Sequence, residues 1–200
     1  MAIPTVTSGG LRSARLLAAG TATRIILTPV VMWLILGDDD AEDTGASAVV
    51  ATGLFCVAAV TDWVDGRLAR RWGVTSKLGS FLDTTADKLL VSGVLIALVA
   101  VDRASPWIAA LIIGRELVLM GLRGVIASEG AVMAPSILGK LKTSVQFIAI
   151  ALAILRPGDP AAGLYVDEWA MLAAAVITVW SAADYLVRAL PSLTRDDTRT

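Results

Sequence analysis

TDWVDGRLARRWGVTSKLGSFLDTTADKLL, residues 61–90, sets Asp62, Asp65, Asp83 and Asp87 at the junction of two strongly apolar runs. Asp62 and Asp65 lie three apart at the end of one run, and Asp83 and Asp87 lie four apart at the start of the next. On helices, each spacing puts both carboxylates on one face. A short turn between the runs brings the two faces together. Carboxylates converging in a partly dehydrated cleft repel one another unless a cation sits among them. An oxygen-only donor set selects Mg²⁺, Mn²⁺ or Ca²⁺ over zinc or copper.

Outward from this segment the chain is apolar. Of its 200 residues 56% are hydrophobic, with a mean hydropathy of +0.73, against about 45–50% apolar in soluble domains. Runs on the order of 20 residues, long enough to cross a bilayer, fall near 16–36, 46–66, 80–101, 106–127, 138–155 and 166–188. These predict an all-α membrane protein, a six-helix bundle forming one integral membrane domain over 1–200. The Pro and Gly cluster RPGDPAAG at 156–163 separates two of the runs. No cleavable leader is expected, because no short apolar stretch with a small-residue cleavage site precedes the first run.

The absence of histidine removes the commonest general base, every Ser-His or Cys-His pair and the usual zinc ligands. Chemistry must run on carboxylates, amines, hydroxyls and metal ions. Cys56 is the only cysteine, so no internal disulfide can form, and its apolar surroundings predict a packed thiol.

Sorting Lys and Arg by loop gives an orientation. Arg12, Arg15 and Arg24, then Arg67, Arg70, Arg71 and Lys77, then Arg123, Lys140 and Lys142, and finally Arg188, Arg195 and Arg199 fall on one side. The opposite loops hold only Arg103 and Arg156, with Asp38, Asp39, Asp40, Glu42, Asp43, Asp102, Asp159, Asp167 and Glu168. Both termini and the 67–77 loop are therefore expected in the cytoplasm. The run DDDAED reads as a solvated outer loop. Trp33, Trp63, Trp72, Trp107, Trp169 and Trp180 lie mostly near span ends and read as interfacial anchors.

Around the aspartates, Gly66, Ala69 and Gly79 remove bulk where a nucleotide or phosphate must approach backbone. Arg70 offers a planar fork to a phosphate. Taken singly, the glycines could merely punctuate helices and the arginine could mark the cytoplasmic border. Together the residues match, without gap or substitution, the pattern DxxDGxxAR, eight residues, GxxxDxxxD over 62–87. The segment thereby resembles the CDP-alcohol phosphotransferase family. That resemblance implies a six-helix membrane bundle, usually a homodimer, in the cytoplasmic membrane, with its active site near the cytoplasmic surface. It implies Asp62, Asp65 and Asp83 as ligands of Mg²⁺ or Mn²⁺, with Asp87 beside them as general base. It also implies a CDP moiety lined by Gly66, Ala69 and Arg70, to which Asp62 and Gly79 are added as neighbours. Asp87 is near enough in register to count with the metal set.

A second stretch, GRELVLMGLRGVIASEGAVMAPSILGKLKTSVQF at 114–147, resembles the RE-to-LR and GKxKT segments of the branch that makes phosphatidylglycerol phosphate. Arg115 and Arg123 lie eight apart, about two helical turns, on roughly one face. With Lys140 and Lys142 they are candidates for an acceptor phosphate, such as that of glycerol 3-phosphate. The two lysines could instead bind headgroups of membrane lipids. Glu116 reads as an ion-pair partner that positions Arg115. GTATRIILTP at 20–29 resembles the LTxxRxxLxP segment of the same enzymes, with Thr21, Arg24 and Pro29 in register; Arg15 replaces an asparagine and Thr84 a proline common in that branch.

The resemblance implies transfer of the phosphatidyl group of CDP-diacylglycerol to glycerol 3-phosphate. Phosphatidylinositol phosphate synthesis and CDP-lipid-type cardiolipin synthesis are the alternatives within the family. A rival of another class, a small cation carrier or channel, accounts for the carboxylates but not for the glycines and Arg70. No nucleic-acid partner is expected.

Overall fold

The computed structural model describes residues 8–37, 45–72, 77–128, 137–158, 160 and 163–193. Side chains are described for 19–37, 45–61, 79, 81–128, 138–139, 141–158, 160 and 163–189. The acidic run at 38–43 therefore lies outside the described residues, as do the side chains of Asp62, Asp65, Gly66, Ala69, Arg70 and Lys140. Among the described residues six helices follow one another: α1 (Ser8–Leu36), α2 (Ala46–Trp72), α3 (Lys77–Ala100), α4 (Pro106–Ser128), α5 (Ile137–Leu155) and α6 (Val166–Leu193). Every expected span falls on one of them. The chain divides into two compact units, Met1–Ala97 and Leu98–Thr200.

In the first unit α1 packs on α2 through one face of each. The buried positions of α1 are Arg24, Thr28, Val31 and Ile35, and those of α2 are Ala48, Ala51, Phe55 and Ala58. Small residues along α2 let the backbones approach, the usual basis of helix packing where the solvent is itself apolar. Gly93 of α3 serves the same purpose against α1: a Cβ there would lie 2.8 Å from Thr28 Cγ2 and 2.9 Å from Met32 Sδ. The opposite faces carry Ile26, Trp33, Val57 and Val60, all exposed. Cys56, expected as a packed thiol, is exposed on that outer side. It stands one residue after the buried Phe55, and the helical turn carries it off the core face.

The second unit is α4, α5 and α6. A Schellman-type turn closes α3 into it: Asp102 N–H donates to Val99 O at 3.2 Å and Arg103 N–H to Leu98 O at 2.9 Å. Asp102 takes the left-handed conformation, φ 55°, that such a turn requires. Ser105 then precedes Pro106, which opens α4 where its missing N–H costs nothing. Arg103, itself buried, donates through Nη1 to Ile154 O at 2.9 Å, a cation on the C-terminal carbonyls of α5. Tyr165 caps the N-terminus of α6, its N–H donating to Glu168 Oε2 at 2.7 Å, the reach-back half of a capping box.

Among the described residues, two stretches, Ala19–Leu36 and Val166–Ala189, are long and apolar enough to cross a membrane; Ala46–Thr61 and Leu141–Leu155 are shorter apolar helices. Helices α3 and α4 interrupt their apolar character with Asp83, Asp87 and Lys88, and with Arg115, Glu116 and Arg123.

Candidate active site

The first turns of α3 position Asp83 and Asp87 four residues apart, one turn above the other on a single face. Asp83 is anchored from α1. Arg24 donates through Nη1 to Asp83 Oδ1 at 2.6 Å, and Thr21 Oγ1 donates to the same oxygen at 3.3 Å. The two partners differ sharply in environment: the Arg24 side chain is 1% exposed and that of Asp83 is 37%. Since α1 is held to α3 at Gly93 by the close contact with Thr28 and Met32, the arginine one turn before Thr28 cannot drift from the aspartate. Both hydrogen bonds fall on Oδ1, which leaves Oδ2 as the donor for a cation. Asp87 makes a single long contact, 3.4 Å from Oδ2 to Lys88 Nζ.

Among the described residues, no three carboxylates meet. Asp62 and Asp65 sit in the described backbone of α2, but their side chains lie outside the described set. The donors that are described are oxygen only, one carboxylate is partly open, and its neighbour is four residues on. That chemistry fits a hard divalent cation.

In the second unit, α4, α5 and α6 bring together a polar cluster inside an apolar helix bundle. Glu116, 4% exposed, accepts from Arg115 Nη1 at 2.9 Å, and the same Oε1 accepts from Lys142 of α5, which is 3% exposed. Arg115 Nη2 donates to Ser181 Oγ of α6 at 2.8 Å. Two turns further along α4, Arg123 lies over the Tyr185 ring, 5.2 Å from its centroid, a cation–π contact above the apolar group Leu119, Ile126 and Ala189. Of the expected acceptor residues, Arg115 and Lys142 thus share one carboxylate, Arg123 sits on an aromatic face, and Lys140 lies outside the described side chains. Gly79, expected beside the nucleotide, is exposed at the start of α3.

Sequence reasoning missed Ser181 and left Arg24 without a partner. The signal for the first was a polar stripe, Thr178, Ser181 and Asp184, spaced three apart within an apolar helix.

The family model described as CDP-alcohol phosphatidyltransferase matches residues 18–180, which include Arg24, Asp83 and Asp87 and the charged trio Arg115, Glu116 and Lys142. The chain belongs to that family. Among CDP-alcohol phosphatidyltransferases, a Bacillus subtilis (strain 168) protein is 41% identical over 143 residues, 68% of this chain and 74% of the relative. A Sodalis glossinidius protein is 43% identical over 141 residues, covering 68% and 76%. An Escherichia coli (strain K12) protein is 42% identical over 156 residues, covering 74% and 82%. Each of the three is named CDP-diacylglycerol–glycerol-3-phosphate 3-phosphatidyltransferase. Within the family frame, Asp83 and Asp87 are the second half of the aspartate pattern, and Arg24 is its counter-charge from the first helix.

Proposed function

We propose that the protein transfers the phosphatidyl group of CDP-diacylglycerol to sn-glycerol 3-phosphate, giving phosphatidylglycerol phosphate and CMP. The observation that carries the reading is the likeness to relatives named for that reaction, at 41–43% identity over about two thirds or more of the chain. The protein is read as one six-span domain of the cytoplasmic membrane, with the aspartate loop and both termini on the cytoplasmic side. Supporting this are the outward-facing Trp33, Val57, Val60, Val176 and Trp180, all more than half exposed. Each unit by itself presents such side chains, and large exposed apolar patches are rare on soluble monomers. A homodimer, implied by the family resemblance, completes the assembly.

In this reading Asp62, Asp65 and Asp83 hold Mg²⁺ or Mn²⁺, with Asp87 alongside, and the bound ion would neutralise the charge of the pyrophosphate. Gly66, Ala69, Arg70 and Gly79, with Asp62, receive the CDP moiety. The acceptor hydroxyl attacks the lipid-bearing phosphorus while Asp87 takes its proton, and CMP leaves. Such chemistry depends on positioning and charge stabilisation more than on covalent help. Arg24 holds the Asp83 side chain in place through the Nη1–Oδ1 contact without joining the reaction. Arg115, Arg123, Lys140 and Lys142 supply positive charge for the acceptor phosphate. Arg115 is the directly contacting member of the buried trio, because it is 12% exposed while Lys142 is 3% exposed against Glu116.

A panel of labelled acceptors tests the reading. Membranes containing the protein are incubated with CDP-diacylglycerol and glycerol 3-phosphate, inositol phosphate, phosphatidylglycerol or serine. Label should enter lipid from glycerol 3-phosphate; incorporation from inositol phosphate or phosphatidylglycerol alone would move the protein to another branch of the family. Nucleotide binding separates the enzyme from a cation carrier: CDP should protect the purified protein against thermal unfolding only with Mg²⁺ or Mn²⁺ present.

A further inference from the structure

We infer that Ser181, on α6, is a positioning residue for the acceptor phosphate, acting through the guanidinium of Arg115. The inference rests on the acceptor role proposed above for Arg115. An arginine held at one nitrogen can still swing its plane about the remaining bonds of a long stem. Arg115 is held at two. Nη1 donates to Glu116 Oε1 at 2.9 Å and Nη2 donates to Ser181 Oγ at 2.8 Å, so a residue of its own helix and one from α6 together fix the plane of the fork. The plane matters because bidentate phosphate recognition depends on the direction of the N–H bonds as much as on charge.

The chemistry of the two anchors differs in a way that favours an anion. Arg115, Glu116 and Lys142 together carry one net positive charge, since Glu116 accepts from both cations. A second carboxylate at 181 would hold Arg115 equally well and cancel that charge. A hydroxyl holds it and leaves the charge in place. Ser181 is 1% exposed, so its oxygen is committed to the protein rather than to solvent. Arg115, at 12%, is the most accessible side chain of the three charged groups. The surplus charge is thereby presented at the one member that can reach a ligand.

Steady-state kinetics on the full-length protein in mixed micelles or vesicles test this, varying glycerol 3-phosphate and CDP-diacylglycerol in turn. Ser181→Ala should raise the Michaelis constant for glycerol 3-phosphate by about 10- to 100-fold, the scale of one hydrogen bond to a charged group. The constant for CDP-diacylglycerol and kcat should change less than about twofold. Ser181→Thr, which keeps the hydroxyl, should restore acceptor use, and Ser181→Asp, which keeps an anchor but cancels the charge, should not. A Ser181→Ala variant that binds both substrates like wild type, or weakens both equally, overturns the inference, whatever the Thr variant does. Arg115→Gln, measured in parallel, separates the two levels. If it impairs glycerol 3-phosphate use while Ser181→Ala does not, the acceptor role of Arg115 stands and Ser181 has no part in it. If Arg115→Gln leaves acceptor use intact, the acceptor role itself fails and takes this inference with it.

Discussion

Glu116 of α4 and Lys142 of α5 are ion-paired with almost no exposure, 4% and 3% of their side chains. Removing one partner of such a pair leaves the other charge in a poor solvent, at a cost of about 3–5 kcal/mol, whereas replacing both by apolar groups of similar size is often near neutral. Glu116→Gln should therefore lower the stability of the purified protein markedly, and Glu116→Gln combined with Lys142→Met should recover most of the loss. Unfolding in detergent micelles measures both. Additive losses in the double variant would mean that the two side chains are not coupled.

Arg24 and Asp83 should respond unequally to truncation. Asp83→Ala removes a carboxylate from a fully buried arginine, with an expected loss of about 3–5 kcal/mol. Arg24→Met removes a cation from an aspartate that is 37% exposed and can still be hydrated, so the loss should be nearer about 1–2 kcal/mol. Both should abolish most activity. The reverse order of stabilities in denaturant titrations would contradict the burial described for the pair.

Asp87 is held by little except the long contact to Lys88, 3.4 Å, so its replacement should leave the fold alone. Asp87→Asn keeps size and one oxygen but removes the proton acceptor. CMP release should fall by roughly 10²-fold or more, with an unchanged unfolding midpoint. Near-normal turnover would remove Asp87 from the role of base.

Gly93→Ala should destabilise through steric crowding. The added methyl would sit 2.8 Å from Thr28 Cγ2 and 2.9 Å from Met32 Sδ, overpacking that costs about 1–3 kcal/mol against a helix-propensity gain of about 1 kcal/mol. Thr28→Ser deletes the clashing methyl while keeping the 2.8 Å hydrogen bond to Arg24 O. The double variant should thus be more stable than Gly93→Ala alone, and a failure of that rescue would place the strain elsewhere.

The charge distribution predicts which loops face the cytoplasm. In a Cys56→Ser background, Asp40→Cys should react with a membrane-impermeant thiol reagent in intact cells, and Lys77→Cys only after permeabilisation. The opposite pattern would invert the orientation.

The helices were legible because each apolar run is long and carries few charged residues. Their limits were not: α1 begins at Ser8 rather than 16, and α2 continues to Trp72 rather than 66. Hydropathy marks where a helix leaves apolar surroundings, while backbone hydrogen bonding continues through polar segments such as GRLARRW. Asp83 and Asp87 could be read from spacing alone, and so could the Arg115–Glu116 pair, because both are local. The bond from Arg24 spans 59 positions and that from Arg115 to Ser181 spans 66. No periodicity encodes such partners. The exposure of Cys56 was missed for a related reason, since an apolar run does not say which of its faces is inward.

Arg24 also constrains how the chain can be made. It lies within the apolar stretch Ala19–Leu36, and an arginine in the middle of a membrane helix raises the insertion cost by up to about 2.5–3.5 kcal/mol on translocon scales. Its carboxylate partner is encoded 59 residues later, about 3–12 s of synthesis at roughly 5–20 residues per second. During that interval the first helix lacks Asp83, and the long arginine stem can carry its charge toward the polar border. Biogenesis of this protein therefore has an order built into it: the contact between Arg24 and Asp83 can form only after the third helix has been translated.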